Sequence, residues 1–326
     1  MRFLNFALTL AALALPQIAS AACEGRDLMT QLPASELNRI TAAADATPYG
    51  SGLLWHASKD DSTITVFGTY HFRHDLTQAH MDALTPLIDV ADDVYLETGG
   101  DDMGDAKRAM ASEPDLIFIT DGPSMIDQLS PEDWQTYSAA MEQRAIPGFM
   151  AAKFKPFFGA MFLSLGPCLI RSGAMEQAGI DMLVNDYAAD KAASLEDWRA
   201  MLGTIDAMPQ DEQIEMLRMS FGYIDQADDL SHTLLQRYLD QDIALLWEYT
   251  KAEALKAGAT EKDFADMEKP LLIDRNIAWA DLLKTRAADA QVFVAVGAGH
   301  LPGEFGLLNL LAQQGYTLKR LPFQAR

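Results

Sequence analysis

The sequence predicts an α/β protein: a mixed, mainly parallel sheet flanked by helices and carrying a helical insertion. Three observations point there. Strand-like runs alternate with helical periods towards both ends of the chain. The middle, residues 124–265, is mainly helical in pattern. Residues 291–296 (QVFVAV) form an apolar run of the kind buried on both faces of a sheet.

Residues 1–21 stand outside this fold. Arg2 gives a positive start, residues 3–18 are apolar with a breaker at Pro16, and Ala19-Ser20-Ala21 is a small-residue cleavage site. That is the pattern of a cleavable secretory signal peptide. Asn5, Thr9, Pro16 and Gln17 interrupt the apolar run, which is too short for a comfortable span. The expectation is a secreted or periplasmic protein, residues 22–326 forming one domain, with no stable membrane insertion once the leader is removed.

The elements follow in order. Residues 52–57 and 62–67, split by Ser58-Lys59-Asp60-Asp61, read as a β-hairpin. Leu76, Ala79, Ala83, Leu84, Leu87 and Ile88 recur at helical spacing. Residues 93–97 read as a buried strand, and the Gly- and Asp-rich residues 98–113 as loop or frayed helix. Ser130 and Pro131 form a helix start, with Ser as N-cap and Pro in the first turn. Residues 153–169 are markedly apolar and suit either a core helix or a pocket wall. A helix is expected over 174–190, a short strand over 192–195, and helices over 197–265. Pro270 opens a helix to about residue 287, and 306–314 is a helix stopped by Gly315 before a last strand, 316–321.

The formal net charge is −22, and such a surface repels nucleic acid and anionic lipid. The cysteines are Cys23 and Cys168, and an even count in an oxidising compartment allows one disulfide. Two unpaired thiols are the alternative. A lipid anchor on Cys23 is a third reading, disfavoured because Ser20 stands where a lipobox usually has an aliphatic residue.

Chemistry concentrates at strand ends. Val66-Phe67-Gly68-Thr69-Tyr70-His71 and Ala295-Val296-Gly297-Ala298-Gly299-His300 are each a β-run followed by Gly-x-x-His. Glu97 and Glu196 occupy equivalent exits from their strands. Ligands of open α/β sheets bind outside the carboxyl ends of strands. If the four strands are parallel neighbours, two imidazoles and two carboxylates meet on one edge. Two His and one carboxylate suffice to hold a divalent metal with open positions, and hydrolysis by a metal-bound water follows. Arg275 shares a helix face with Leu271, Ala278 and Leu282. It either meets a carboxylate or an anionic ligand there, or snorkels out along its stem.

Gly68-Thr69-x-His71, Glu97, Gly179-Ile180-Asp181, Leu195-Glu196, Arg275-Asn276 and the block from Val296 through His300 to Gly303 resemble the TraB/GumN family, over essentially the whole chain after the leader. That family is related to the Tiki proteases and, more distantly, to erythromycin-esterase-like and ChaN-like proteins. The resemblance implies an α/β fold and metal-dependent hydrolysis, of the peptidase kind by similarity to Tiki. It implies His71, His300 and Glu97 as the ligands of a Mn, Co or Zn ion. Glu97, Arg275 and Glu196 then carry catalysis on a peptide or small-molecule substrate. Gly68, Thr69, Gly297, Gly299, Asp181 and Asn276 support them. Two other readings stand beside it. One is non-catalytic capture of a peptide, a haem-like ligand or a polysaccharide intermediate; the other is metal-free hydrolysis by His and Glu.

Overall fold

The computed structural model describes residues 25–173 and 176–324. The leader, Cys23 and residues 174–175, where the 174–190 helix was expected to begin, lie outside the described residues. The sheet comprises β1 (Leu54–Lys59), β2 (Ser62–Thr69), β3 (Asp93–Leu96), β4 (Ala192–Ser194), β5 (Gln291–Gly297) and β6 (Thr317–Arg320). Their spatial order is β4-β3-β5-β2-β1-β6. β4, β3, β5 and β2 are parallel neighbours, while β1 pairs antiparallel with β2 and β6. The hairpin turn is Asp60-Asp61, with Asp60 in the left-handed region at φ 51°, a conformation Asp tolerates better than most residues.

Alternation along β5 builds the two core layers. Val292, Val294 and Val296 face Trp279, Leu283 and Leu308, from helices Asp274–Arg286 and Leu307–Gln313. Phe293 and Ala295 face Leu84, Ile88 and Val184, from helices Thr77–Asp89 and Ile180–Ala188. Successive side chains of a strand point to opposite faces, so an unbroken apolar run is what a two-sided core requires.

The helical middle packs a core of its own, with Tyr137, Met141, Phe154, Phe158 and Leu217 at its centre. The apolar 153–169 stretch lies here, chiefly as helix Pro156–Ser164. Ser130 caps the Pro131–Gln143 helix by accepting from the Asp133 amide at 3.1 Å. Arg144, only 1 % exposed, donates to the carbonyls of Ala140, Phe162, Leu163 and Leu165. The last carbonyls of a helix have no partner of their own, and this guanidinium supplies one.

Three segments differ from expectation. Of the loop or frayed helix expected over 98–113, a regular helix is realised, Gly100–Ser112, its Gly100 amide donating to Asn185 Oδ1 at 2.7 Å and its first turn carrying Asp101 and Asp102. The helix after residue 174 begins only at Ile180, behind Gly179. Pro270 does not open a helix. Helix Glu261–Glu268 runs into Asp274–Arg286 through a π-helical turn, Lys269–Ile273, in which the Asp274 amide donates to Lys269 O. Proline has no N–H and crowds the carbonyl four residues back, and the widened turn carries the chain past it.

Candidate functional site

The order β4-β3-β5-β2 lines up four parallel carboxyl ends, with Leu96 opposite Ala295 and Ser194, and Thr69 opposite Gly297. Glu196, Glu97, His300 and His71 follow those ends, so the structure brings all four onto one sheet edge.

Arg275 ties the carboxylates together. Its Nε and Nη2 donate to Glu196 Oε2 and Oε1 at 2.9 and 2.6 Å, a bidentate fork. Nη2 also donates to Glu97 Oε2 at 2.5 Å, and Nη1 to Leu271 O at 3.0 Å. Its guanidinium lies over the ring of the buried Trp279, 4.7 Å from the centroid. The π turn just before Arg275 presents the Leu271 carbonyl to it. Of the two readings of Arg275, pairing with carboxylates is the one realised, and its fork is filled by the protein itself.

His300 is 4 % exposed and packs against Trp279 with the rings tilted by 44°, ring centroids 4.5 Å apart. Asn276 Nδ2 donates to the His300 and Phe305 carbonyls, leaving Asn276 Oδ1 to accept from His300 Nδ1 at 2.7 Å. Arg275 Nη1, a donor only, lies 3.3 Å from His300 Nε2. Both contacts select the tautomer with the proton on Nδ1 and a lone pair on Nε2. Burial, aided by Arg275 and His71, holds the His300 pKa down at about 4 against the pull of Glu97. The ring is neutral at pH 7.

His71 is the opposite case. Its side chain is 61 % exposed, and Nδ1 lies 3.1 Å from Asp181 Oδ2, whose other oxygen accepts from Thr69 Oγ1. The Asp181 carboxylate, opposed by partial desolvation, raises the His71 pKa to about 9. Asp181 stands in the first turn of helix Ile180–Ala188, and that turn abuts the His71 backbone. A Cβ on Gly179 would sit 1.9 Å from His71 O, so only glycine permits the approach.

Glu97 joins the two halves. The Gly297 amide donates to its Oε1 at 2.7 Å, and His300 Nε2 is 3.8 Å from the same oxygen. Burial would raise its pKa, but His300, His71, Arg275 and the Gly297 amide outweigh burial and lower it to about 2. A Cβ placed on Gly297 would be 3.2 Å from Glu97 Oε1, 3.3 Å from His71 Nε2 and 3.6 Å from His300 Cδ2. The carboxylate and both imidazoles thus converge over the bare Gly297. Beside them, His71, Glu97, Thr98, Met103, Asp181 and Met182 line a cavity of about 270 Å³.

As arranged, these residues do not fit a resident metal. No group of three His, Cys, Asp or Glu side chains among the described residues is gathered closely enough to hold an ion. A cationic guanidinium sits on His300 Nε2, and both Glu97 oxygens are engaged. The buried polar atom at this site without a hydrogen-bond partner is Trp279 Nε1, a donor, whereas a metal needs lone pairs.

Gly68 is explained by close packing, since a Cβ there would lie 2.7 Å from Leu301 Cδ1 and 3.0 Å from the Ala298 Cα. Gly299 faces open space, and nothing in the structure requires glycine there. His74 is half-buried, its ring 5.0 Å from that of His80 and 6.0 Å from those of Tyr70 and Tyr238. The Cys23–Cys168 pairing falls partly outside the described residues; within them, Gly25 and Cys168 both abut Asp228. Sequence reasoning missed Trp279 and Tyr238, whose hydroxyl donates to Gly68 O at 3.1 Å. Trp279 had a signal, one helical turn beyond Arg275. Tyr238 had none, because it comes from a helix 170 residues away in sequence.

Fold and site together define a mixed α/β protein whose polar centre is built from four parallel strand ends. The chain belongs to the TraB/PrgY/gumN family, whose sequence model matches residues 53–320. No curated protein and no solved structure matches it.

Proposed function

We propose that this protein is an exported hydrolase whose centre is the cluster over Gly297. The observation that carries the reading is the convergence of Glu97, His71 and His300 beside a solvent-reached cavity. A site that holds one imidazole as a donor and another as an acceptor has both halves of general acid–base catalysis. Once Arg275 Nη1 moves off Nε2, the neutral His300 uses that lone pair to take a proton from water as the water oxygen attacks the substrate carbonyl. Collapse of the tetrahedral adduct breaks the bond to the leaving group, which takes its proton from His71. Asp181 orients His71, and Glu97 with Arg275 balances the charge that moves between the rings. The likeness to Tiki proteases favours a peptide bond as the target, and the N-terminal pattern favours a substrate outside the cytoplasm.

The metal-dependent form of this reading has one observation in its favour, the meeting of two imidazoles and a carboxylate over Gly297. Like the metal-free form it requires Arg275 to leave His300 Nε2, and in addition it requires His71 to lose its proton. The test is cleavage of a peptide library by wild type, His71→Ala and His300→Ala, with chelator or with added Mn²⁺, Co²⁺ or Zn²⁺. Wild-type turnover reduced about 100-fold or more in both variants supports the assignment. Turnover unchanged in both overturns it. Chelator-sensitive activity restored by one ion selects the metal-dependent form.

A further inference from the structure

The helical middle holds a second cavity of about 350 Å³, walled mainly by helices and sharing only Leu271 with the surroundings of Arg275. That is within the range of small-ligand pockets. Phe157, Met161, Met216, Met219, Phe264 and Met267 supply most of its wall, and methionine adapts its shape to what it packs against. The hydroxyls on the wall are turned away into their own helices. Ser164 Oγ donates to Met161 O, Ser220 Oγ to Met216 O and Thr250 Oγ1 to Leu246 O. Asp263 is spent capping Thr260, and Glu253 pairs with Lys256 at 2.6 Å.

One polar group on this wall is left over. The Tyr223 hydroxyl is buried and has no hydrogen-bond partner among the described residues. A buried hydroxyl without a partner costs free energy that a bound acceptor recovers. Burial and the nearby Glu253 both push the phenol pKa up, so it stays an O–H donor.

We infer that this cavity binds an aliphatic chain bearing a single uncharged oxygen, the oxygen accepting from Tyr223. A free fatty carboxylate fits poorly, because its charge would be buried in an apolar wall that offers it one hydroxyl and no cation. An alcohol, or the carbonyl of an acyl ester or amide, meets both constraints.

The experiment is calorimetric titration of the full mature protein with 1-decanol and with sodium decanoate, alongside Tyr223→Phe and Ala160→Trp. Saturable binding of decanol at one site is expected, at least tenfold tighter than decanoate at pH 8. Tyr223→Phe should weaken it about three- to tenfold, the worth of one hydrogen bond. Ala160→Trp, which fills the cavity, should abolish it while the circular dichroism stays native. Tyr223→Phe removes one hydroxyl and keeps the ring, so it reports even if the tryptophan variant fails to fold. Absence of saturable decanol binding to wild type overturns the inference, as does equal binding of decanoate, or decanol binding indifferent to Tyr223→Phe.

Discussion

Arg275 bonds to Glu97, Glu196, the Leu271 carbonyl and His300, so its removal strands two part-buried carboxylates. Arg275→Ala should destabilise the fold by about 3 kcal/mol in urea unfolding, since an unpaired buried charge costs more than its pair contributes. Adding Glu196→Leu should recover part of that loss. Gly297→Ala tests the convergence directly. Its Cβ would press on Glu97 Oε1 at 3.2 Å and His71 Nε2 at 3.3 Å, so hydrolysis should fall by about tenfold or more with the melting temperature nearly kept. The two imidazoles also predict a pH profile. His71 has its folded pKa raised, by Asp181, from 6.5 to about 9. Its ion pair with Asp181 contributes fully below pH 6.5 and is lost as pH rises through about 9. Glu97 has its pKa lowered, from 4.5 to about 2. The stability it brings is present above pH 4.5 and lost as pH falls through about 2. Wild-type kcat/KM should therefore decline near pH 9, and His71→Asn should lack that limb. An alkaline limb that persists in His71→Asn would assign it to another group.

At the scale of elements, the site depends on how helices end and bend. The π turn at Lys269–Ile273 keeps Glu261–Arg286 in one piece while offering the Leu271 carbonyl to Arg275. Proline alone announced a break, because the rule that proline interrupts a helix does not say whether the chain stops or widens. The end of the Pro156–Ser164 helix depends on Arg144. Arg144→Ala removes the guanidinium donor from those buried carbonyls, leaving Phe162 O only its bond from the Leu165 amide, and should cost on the order of 3 kcal/mol. Amide exchange should rise over residues 140–165 before it rises in β5, because the helical middle has its own core. Exchange that accelerates equally in both would show that the two cores open as one.

For the whole molecule, a bond between Cys23 and Cys168 would close a loop across nearly half the chain, worth about 4–5 kcal/mol in the chain-entropy account. Protein folded under oxidising conditions should show no titratable thiol when denatured and should melt lower after reduction; two titratable thiols would rule the bond out. The sequence by itself determined the local elements of this protein. The two-sided apolar run of β5, the hairpin, the Ser130 cap and both Gly-x-x-His turns are written in neighbouring residues, where period and turn chemistry act. It also placed His71, Glu97, Glu196 and His300 at strand ends. Only the tertiary structure decided what those four become. The order β4-β3-β5-β2 brings Glu97 to the same edge as the two imidazoles, and burial against Trp279 makes His300 neutral. Asp181, arriving from a helix more than a hundred residues away, makes His71 a cation. Protonation and pairing follow from solvent exclusion and from neighbours distant in sequence, and no local pattern carries either.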